Sequence, residues 1–227
     1  MTAPRPPQQA KDLGAIVADR AYAIAQQVRH FTTRPSLLKY EKGDLAPVVL
    51  LPGVFETWQF LRPIADGLHD LGHPIHLLPE LGINRKAIVA SALLGEQYLR
   101  RHDLHGAILV AHSKGGLIGK QMMMGEEGPI RIAQLIAVCT PFGGSSLARF
   151  ALAPALRAFS PRNLTVLTLA ANLEANSRIT SIYPRLDPLI PGGSHLAGAT
   201  NVEVDLVGHF LPLASRRVLN EIENAIK

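Results

Sequence analysis

Apolar positions along this chain follow two alternating rhythms. The first is a set of short apolar runs: Val48 to Leu51, Ile75 to Leu78, Ala107 to Ala111, Ile132 to Cys139, Ile179 to Tyr183 and Val202 to Val207. Their length, and the Gly, Pro and polar residues that bound them, predict strands. The second rhythm is helical. Leu61, Ile64, Ala65 and Leu68 share a face of the segment Trp58 to Leu71, and Ile88, Ala92, Leu93 and Leu99 lie near one face of Ala87 to Arg101. Leu117, Ile118, Met122 and Met123 recur at helical spacing after the third run, and a terminal helix is predicted from about Leu213 to Ile226. Strand, helix, strand, helix, strand implies a parallel sheet with right-handed crossovers.

The ends and one internal stretch depart from this alternation. Residues 1–10 are rich in Pro and Gln and are expected to be disordered. From Leu13, the residues Ile16, Val17, Ala21, Ile24, Val28 and Phe31 trace a helical stripe, with Asp19, Arg20, Gln26 and Arg29 mostly off it. That pattern predicts a helix packed on the flank of the core, or one that meets an interface or partner. Arg34-Pro35 and Lys42-Gly43-Asp44 form a linker, so residues 1–45 are an appendage to a domain spanning 46–227. Residues 145–177 are Ala- and Leu-rich. Ala148 to Phe159 reads as a helix that Pro154 should kink or interrupt, Ser160-Pro161 breaks it, and Leu164 to Leu173 is apolar again.

At 227 residues the chain is long enough for one domain with a sizeable core, and 47% hydrophobic with only 5% aromatic residues suits an aliphatic α/β protein. No apolar run approaches the length of a membrane span, and Asp12, Asp19 and Arg20 interrupt any signal-peptide-like stretch, so a cytoplasmic protein is expected. The single cysteine, Cys139, excludes an internal disulfide and a cysteine-based metal cluster. Residues 1–46 hold seven Lys and Arg against four acids, more than half of the net charge of +5. With no nucleic-acid motif in view, that basic segment, residues 11–42, is a candidate for peripheral contact with anionic lipid.

Candidate chemistry sits where the third strand meets the helix after it. In Ala111-His112-Ser113-Lys114-Gly115 a serine stands at a strand-to-helix turn with small residues two positions away on each side, the nucleophile-elbow pattern with alanine in the first small position. A serine hydroxyl needs a base, and the base needs an acid to orient it. His209 follows Gly208 at the end of the last strand, and Asp187 also follows a strand, so all three lie at strand carboxyl ends. Glu174 and Asp205 are weaker acids by position and His195 a weaker base. His112 is expected to pack beneath the elbow. The loop Pro52-Gly53-Val54-Phe55, after the first strand, offers a glycine turn that could aim the Val54 N–H at a substrate oxygen.

These segments resemble the small, lidless Bacillus-type lipases. The resemblance rests on Ala111 to Gly116, on Ile179 to Tyr183 leading to Asp187, and on Gly198 to Val202 leading to Val207-Gly208-His209. It covers roughly Val48 to the C-terminus. It implies a minimal α/β-hydrolase with a mostly parallel central sheet, helices on both faces and an added N-terminal helix. It further implies carboxylic-ester cleavage without cofactor or metal, with Ser113 as nucleophile, Asp187 as acid and His209 as base. Val54 and Lys114 would donate to the oxyanion, Gly53 and Gly115 would permit the tight turns, and Phe55 and Phe142 are the substrate-binding candidates. Pro52 replaces the usual histidine of the oxyanion loop. Residues 145–177 look longer and more helical than the family pattern, and would border the acyl pocket.

Overall fold

The computed structural model describes residues 8–32 and 37–226. Six strands form one sheet: β1 (Val48–Leu51), β2 (Ile75–Leu77), β3 (Ala107–His112), β4 (Ile132–Val138), β5 (Ile179–Leu186) and β6 (Thr200–Val207). Their order is β2-β1-β3-β4-β5-β6, and every pairing is parallel. The chain thus leaves β1 toward one edge and returns through β3 toward the other. The connections that leave the carboxyl ends of β1 and β3 therefore run in opposite directions, a switch point that opens a crevice above the sheet.

Alternation along the strands separates two cores. Val49, Leu51, Leu109, Ala111, Leu135 and Ala137 face one side, beneath α3 (Ile88–Arg101), α4 (Lys114–Met123) and α7 (Leu164–Ala171). Val48, Leu50, Ile108, Val110, Ile136 and Val138 face the other, beneath α2 (Arg62–Asp70) and α8 (Arg216–Ile226). The central strands are buried on both faces, which is why they read as continuous apolar runs. Two short helices, α5 (Gly128–Arg131) and α6 (Pro154–Arg157), lie in the connections before and after β4.

Several expectations are corrected. Residues 8–10 belong to the N-terminal helix α1 (Gln8–Thr32) rather than to a disordered tail; residues 1–7 and the Arg34-Pro35 linker lie outside the described residues. Of the two outcomes expected for Ala148 to Phe159 at Pro154, the stretch is interrupted rather than kinked: a 3-10 turn (Ser146–Phe150) is followed by α6. Pro154 starts α6 at its first position, where a missing N–H costs nothing.

Helix α1 does pack on the flank of the core, but not through its apolar stripe. Leu13, Val17, Ile24 and Val28 are 63%, 62%, 65% and 54% exposed, whereas Asp19 and Gln26 are 0% and 2% exposed. The helix docks through its polar side and turns its apolar stripe outward. Its inward polar groups find partners in the loops above the sheet: Tyr22 Oη donates to Phe60 O (3.3 Å) and Gln27 Nε2 to Phe55 O (2.6 Å). The side chain of Phe31 lies outside the described residues.

Candidate active site

Ser113 is held at the tip of β3 with φ 52° and ψ −119°, a left-handed backbone that a non-glycine residue adopts only under constraint. Its N–H donates to Val138 O (2.9 Å), and its carbonyl accepts from the Thr140 hydroxyl (2.9 Å) and the Gly116 N–H (3.1 Å). The elbow glycines follow from sterics. A Cβ on Gly115 would overlap the Leu51 carbonyl oxygen, and one on Gly116 would overlap the Thr140 side chain. Phe55 (φ 61°) after β1 and Cys139 (φ 51°) after β4 are strained in the same way, so three left-handed residues stand beyond the carboxyl ends of neighbouring strands.

Asp187 lies directly after β5. Its Oδ1 accepts from the N–H groups of Leu189 (2.8 Å) and Ile190 (3.2 Å), and its Oδ2 meets His209 Nδ1 at 2.7 Å. A carboxylate only accepts, so Nδ1 carries the proton and Nε2 is left with its lone pair. Both side chains are only 4% exposed. The competing acids are elsewhere: Asp205 is 81% exposed and pairs with Arg185, and Glu174 is exposed, as is His195.

Ser113 and His209 line one cavity of about 510 Å³. No hydrogen bond joins Ser113 Oγ to His209 among the described residues. Val54 and Phe55 form one wall, Ala23, Ile24, Gln27 and Val28 of α1 a second, and Leu147, Ala148, Ala151, Leu156 and Phe159 a third. The cavity is thus bordered by residues 145–159; Asn172, Glu174 and Ala175 line a separate depression instead. Phe142 is not in the wall. It is 2% exposed and packs into the core under α4, while its neighbour Pro141 faces the cavity.

Lys114 contributes the first backbone N–H of α4. Its side chain turns away from the cavity and donates to Asn84 O (2.8 Å) and Asn84 Oδ1 (3.2 Å). Burial pushes its pKa down to about 8.

One pair escaped the sequence reading. Glu56, buried, accepts from the Gly53 N–H (2.8 Å) and from His112 Nδ1 (2.8 Å), while His112 Nε2 lies 2.9 Å from the His209 carbonyl. Both partners of the His112 ring are acceptors, so both ring nitrogens carry protons. Burial opposes that charge, but the Glu56 carboxylate outweighs it, with help from the His209 carbonyl, and the His112 pKa is raised. The pair ties the β1 loop, the elbow and the His209 loop together. The only signal in the sequence was an acid three residues after Gly53. His112, Cys139 and His209 place potential metal ligands within 4.8 Å of one another. With both His112 nitrogens protonated, however, that residue has no lone pair to give, and burial followed by the charges of Asp187, Asp19 and Glu56 pushes the Cys139 thiol well above its ordinary range.

No protein-family model and no curated protein matches the sequence. Solved structures do. The mature form of the Bacillus licheniformis lipase BlEst2 superposes with a TM-score of 0.66 at 14% identity, over 82% of this chain and 97% of that one. An extracellular α/β-hydrolase from a Paenibacillus species gives 0.57 at 17% identity, over 80% and 99%. A hydrolase from Oleispira antarctica gives 0.56 at 12% identity, over 84% and 96%. At these identities the likeness speaks for architecture, and together with the parallel sheet, its strand order and the strained serine turn it identifies the chain as having the α/β-hydrolase fold.

Proposed function

We propose that the protein is a serine hydrolase that cleaves carboxylic esters with an apolar acyl group. The observation that carries this reading is the buried Asp187–His209 pair (2.7 Å) opening on the same cavity as the strained Ser113. Asp187 fixes the His209 tautomer, which leaves Nε2 to take the proton from Ser113 Oγ as that oxygen attacks the ester carbonyl. The Val54 and Lys114 N–H groups hold the oxyanion, Lys114 with the added field of the α4 N-terminus. His209 then gives the proton to the leaving alcohol and activates water against the acyl-enzyme. Phe55, Leu147, Leu156 and Phe159 supply an apolar wall for the acyl chain, in a cavity of ligand-binding size.

The test is hydrolysis of p-nitrophenyl esters from acetate to palmitate, run beside Ser113→Ala. Turnover that rises toward the longer chains and is lost at least about a thousandfold in Ser113→Ala is the expected result. Failure of any ester to give serine-dependent turnover would leave a non-catalytic ligand-binding scaffold as the reading.

A second reading, that the enzyme works at a lipid surface, is favoured by the outward stripe of α1. Ile24 and Val28 belong both to that stripe and to the cavity wall, and Phe150 (70% exposed) and Leu152 (95%) extend the apolar rim near the third wall. Arg20 is exposed on the helix, while its acid Asp19 is buried and Asp12 pairs with Arg185. Such a rim suits lipid acyl groups under anionic headgroups. Among the described residues no helix is long and apolar enough to cross a membrane, so this contact would be peripheral.

A further inference from the structure

We propose that Asp19, on the N-terminal helix, is a positioning residue for His209; the proposal rests on the reading of His209 as the catalytic base. Asp19 is fully buried, and its Oδ1 accepts from the backbone N–H groups of Phe210 (2.6 Å) and Leu211 (2.7 Å), the two residues that follow His209. The residue that precedes His209 is shaped to the same carboxylate. Gly208 has φ +126°, and a Cβ there would stand 2.5 Å from Asp19 Oδ1. From the opposite side, the His112 Nε2–H donates to the His209 carbonyl (2.9 Å).

Three successive backbone groups, the carbonyl of residue 209 and the amides of 210 and 211, are therefore gripped by two buried charged side chains. Asp187 fixes how the imidazole ring is turned, and Asp19 with His112 fixes where the ring is carried. Packing alone does not account for Asp19, because its Oδ2 is buried without a hydrogen-bond partner among the described residues. An arrangement that leaves part of a carboxylate unsatisfied is expensive. Both short bonds fall on one buried oxygen, which holds the two peptide groups after His209 in place. A shift of about 1 Å in a reacting group can cost about a hundredfold in rate, so slack in this loop should appear in the chemical step rather than in binding.

The test uses the full chain with Asp19→Ala and Asp19→Asn. Asp19→Ala is expected to lower kcat about 10- to 100-fold with KM changed less than about threefold. Asp19→Asn keeps an acceptor at Oδ1 and is expected to retain kcat within about threefold. A readout independent of turnover is the low-field proton resonance of the His209 Nδ1–H bonded to Asp187, assigned with His209→Ala. It should broaden or move in Asp19→Ala and stay in place in Asp19→Asn. If Asp19→Ala does not fold, Asp19→Glu carries the test: it keeps the charge but displaces the acceptor, so the same loss of kcat and the same resonance change are expected. Unchanged kcat and resonance in Asp19→Ala, equal losses in Asn and Ala, or a change in KM alone would overturn the proposal. Should the wild-type protein show no serine-dependent turnover while the resonance still moves in Asp19→Ala, the ester-hydrolase reading falls and the positioning role stands.

Discussion

Glu56 and His112 are a buried pair whose charge state sets a pH dependence. His112 has a raised pKa in the folded protein. The stability it contributes is therefore fully present below its unfolded value of about 6.5 and is lost as pH rises through the higher folded value. Glu56→Gln should remove that dependence and destabilise the fold by about 1–3 kcal/mol, read as a lower urea midpoint at pH 6 with a smaller difference at pH 9. Lys120 poses the opposite case. It is 0% exposed, its Nζ has no hydrogen-bond partner among the described residues, and burial pushes its pKa down to about 8. Lys120→Met keeps the length and removes the charge, so it should stabilise the protein by about 1–3 kcal/mol at pH 7, visible as a Tm several degrees higher. At this scale the positions of Ser113, Asp187 and His209 were legible in the sequence, because each follows a readable strand. It was silent about Glu56, whose partner His112 is 56 positions away and is reached only when β1 and β3 pair.

At the scale of the element, α1 is the instructive case. Its apolar stripe was legible, but the side it presents to the core was not. Hydrophobic periodicity assumes that the surface beneath a helix is apolar. Here the surface beneath α1 is a set of loops with open backbone groups, at Phe55, Phe60, Phe210 and Leu211, and the polar side of the helix satisfies them. One prediction belongs here. Leu13 and Val17 are exposed and outside the cavity wall, so the double variant Leu13→Ser, Val17→Ser should change stability by no more than about 0.5 kcal/mol per site. If the lipid-surface reading holds, the same variant should pellet less with anionic liposomes than the wild type does; equal pelleting would remove that reading. Residues 145–177 were the other poorly legible stretch. Pro154 and Pro161 divide them into short pieces, and the two pieces before Pro161 reach the cavity while α7 does not.

For the whole molecule, the buried lysines and Tyr22 shape the alkaline side of the stability curve. Lys114 and Lys120, both lowered to about 8, titrate at about 10.5 when unfolded. Between these values the unfolded chain binds more protons, so stability should rise with pH across that window. Burial raises Tyr22 to about 12 from about 10, and its contribution should decline once pH exceeds 10. Urea midpoints of the wild type measured from pH 7.5 to 10 should climb, and the climb should be shallower in Lys120→Met. Equal slopes in the wild type and Lys120→Met would contradict the burial of the Lys120 ammonium group.

The sequence by itself determined the strand–helix alternation, and with it the parallel sheet, because strands buried on both faces must be apolar almost throughout and their crossovers must be amphipathic. It also determined the order and the strand-end placement of Ser113, Asp187 and His209, and the glycine that the turn at Ser113 requires. Only the tertiary structure decided what holds those residues. Glu56 reaching His112, Asp19 reaching the peptides after His209, and Gln27 reaching Phe55 are contacts between segments far apart in the chain. Each is a polar side chain meeting a group that becomes available only when the sheet brings its loops together. Local pattern registers how apolar a residue is, whereas the worth of a buried polar group depends on the partner waiting for it.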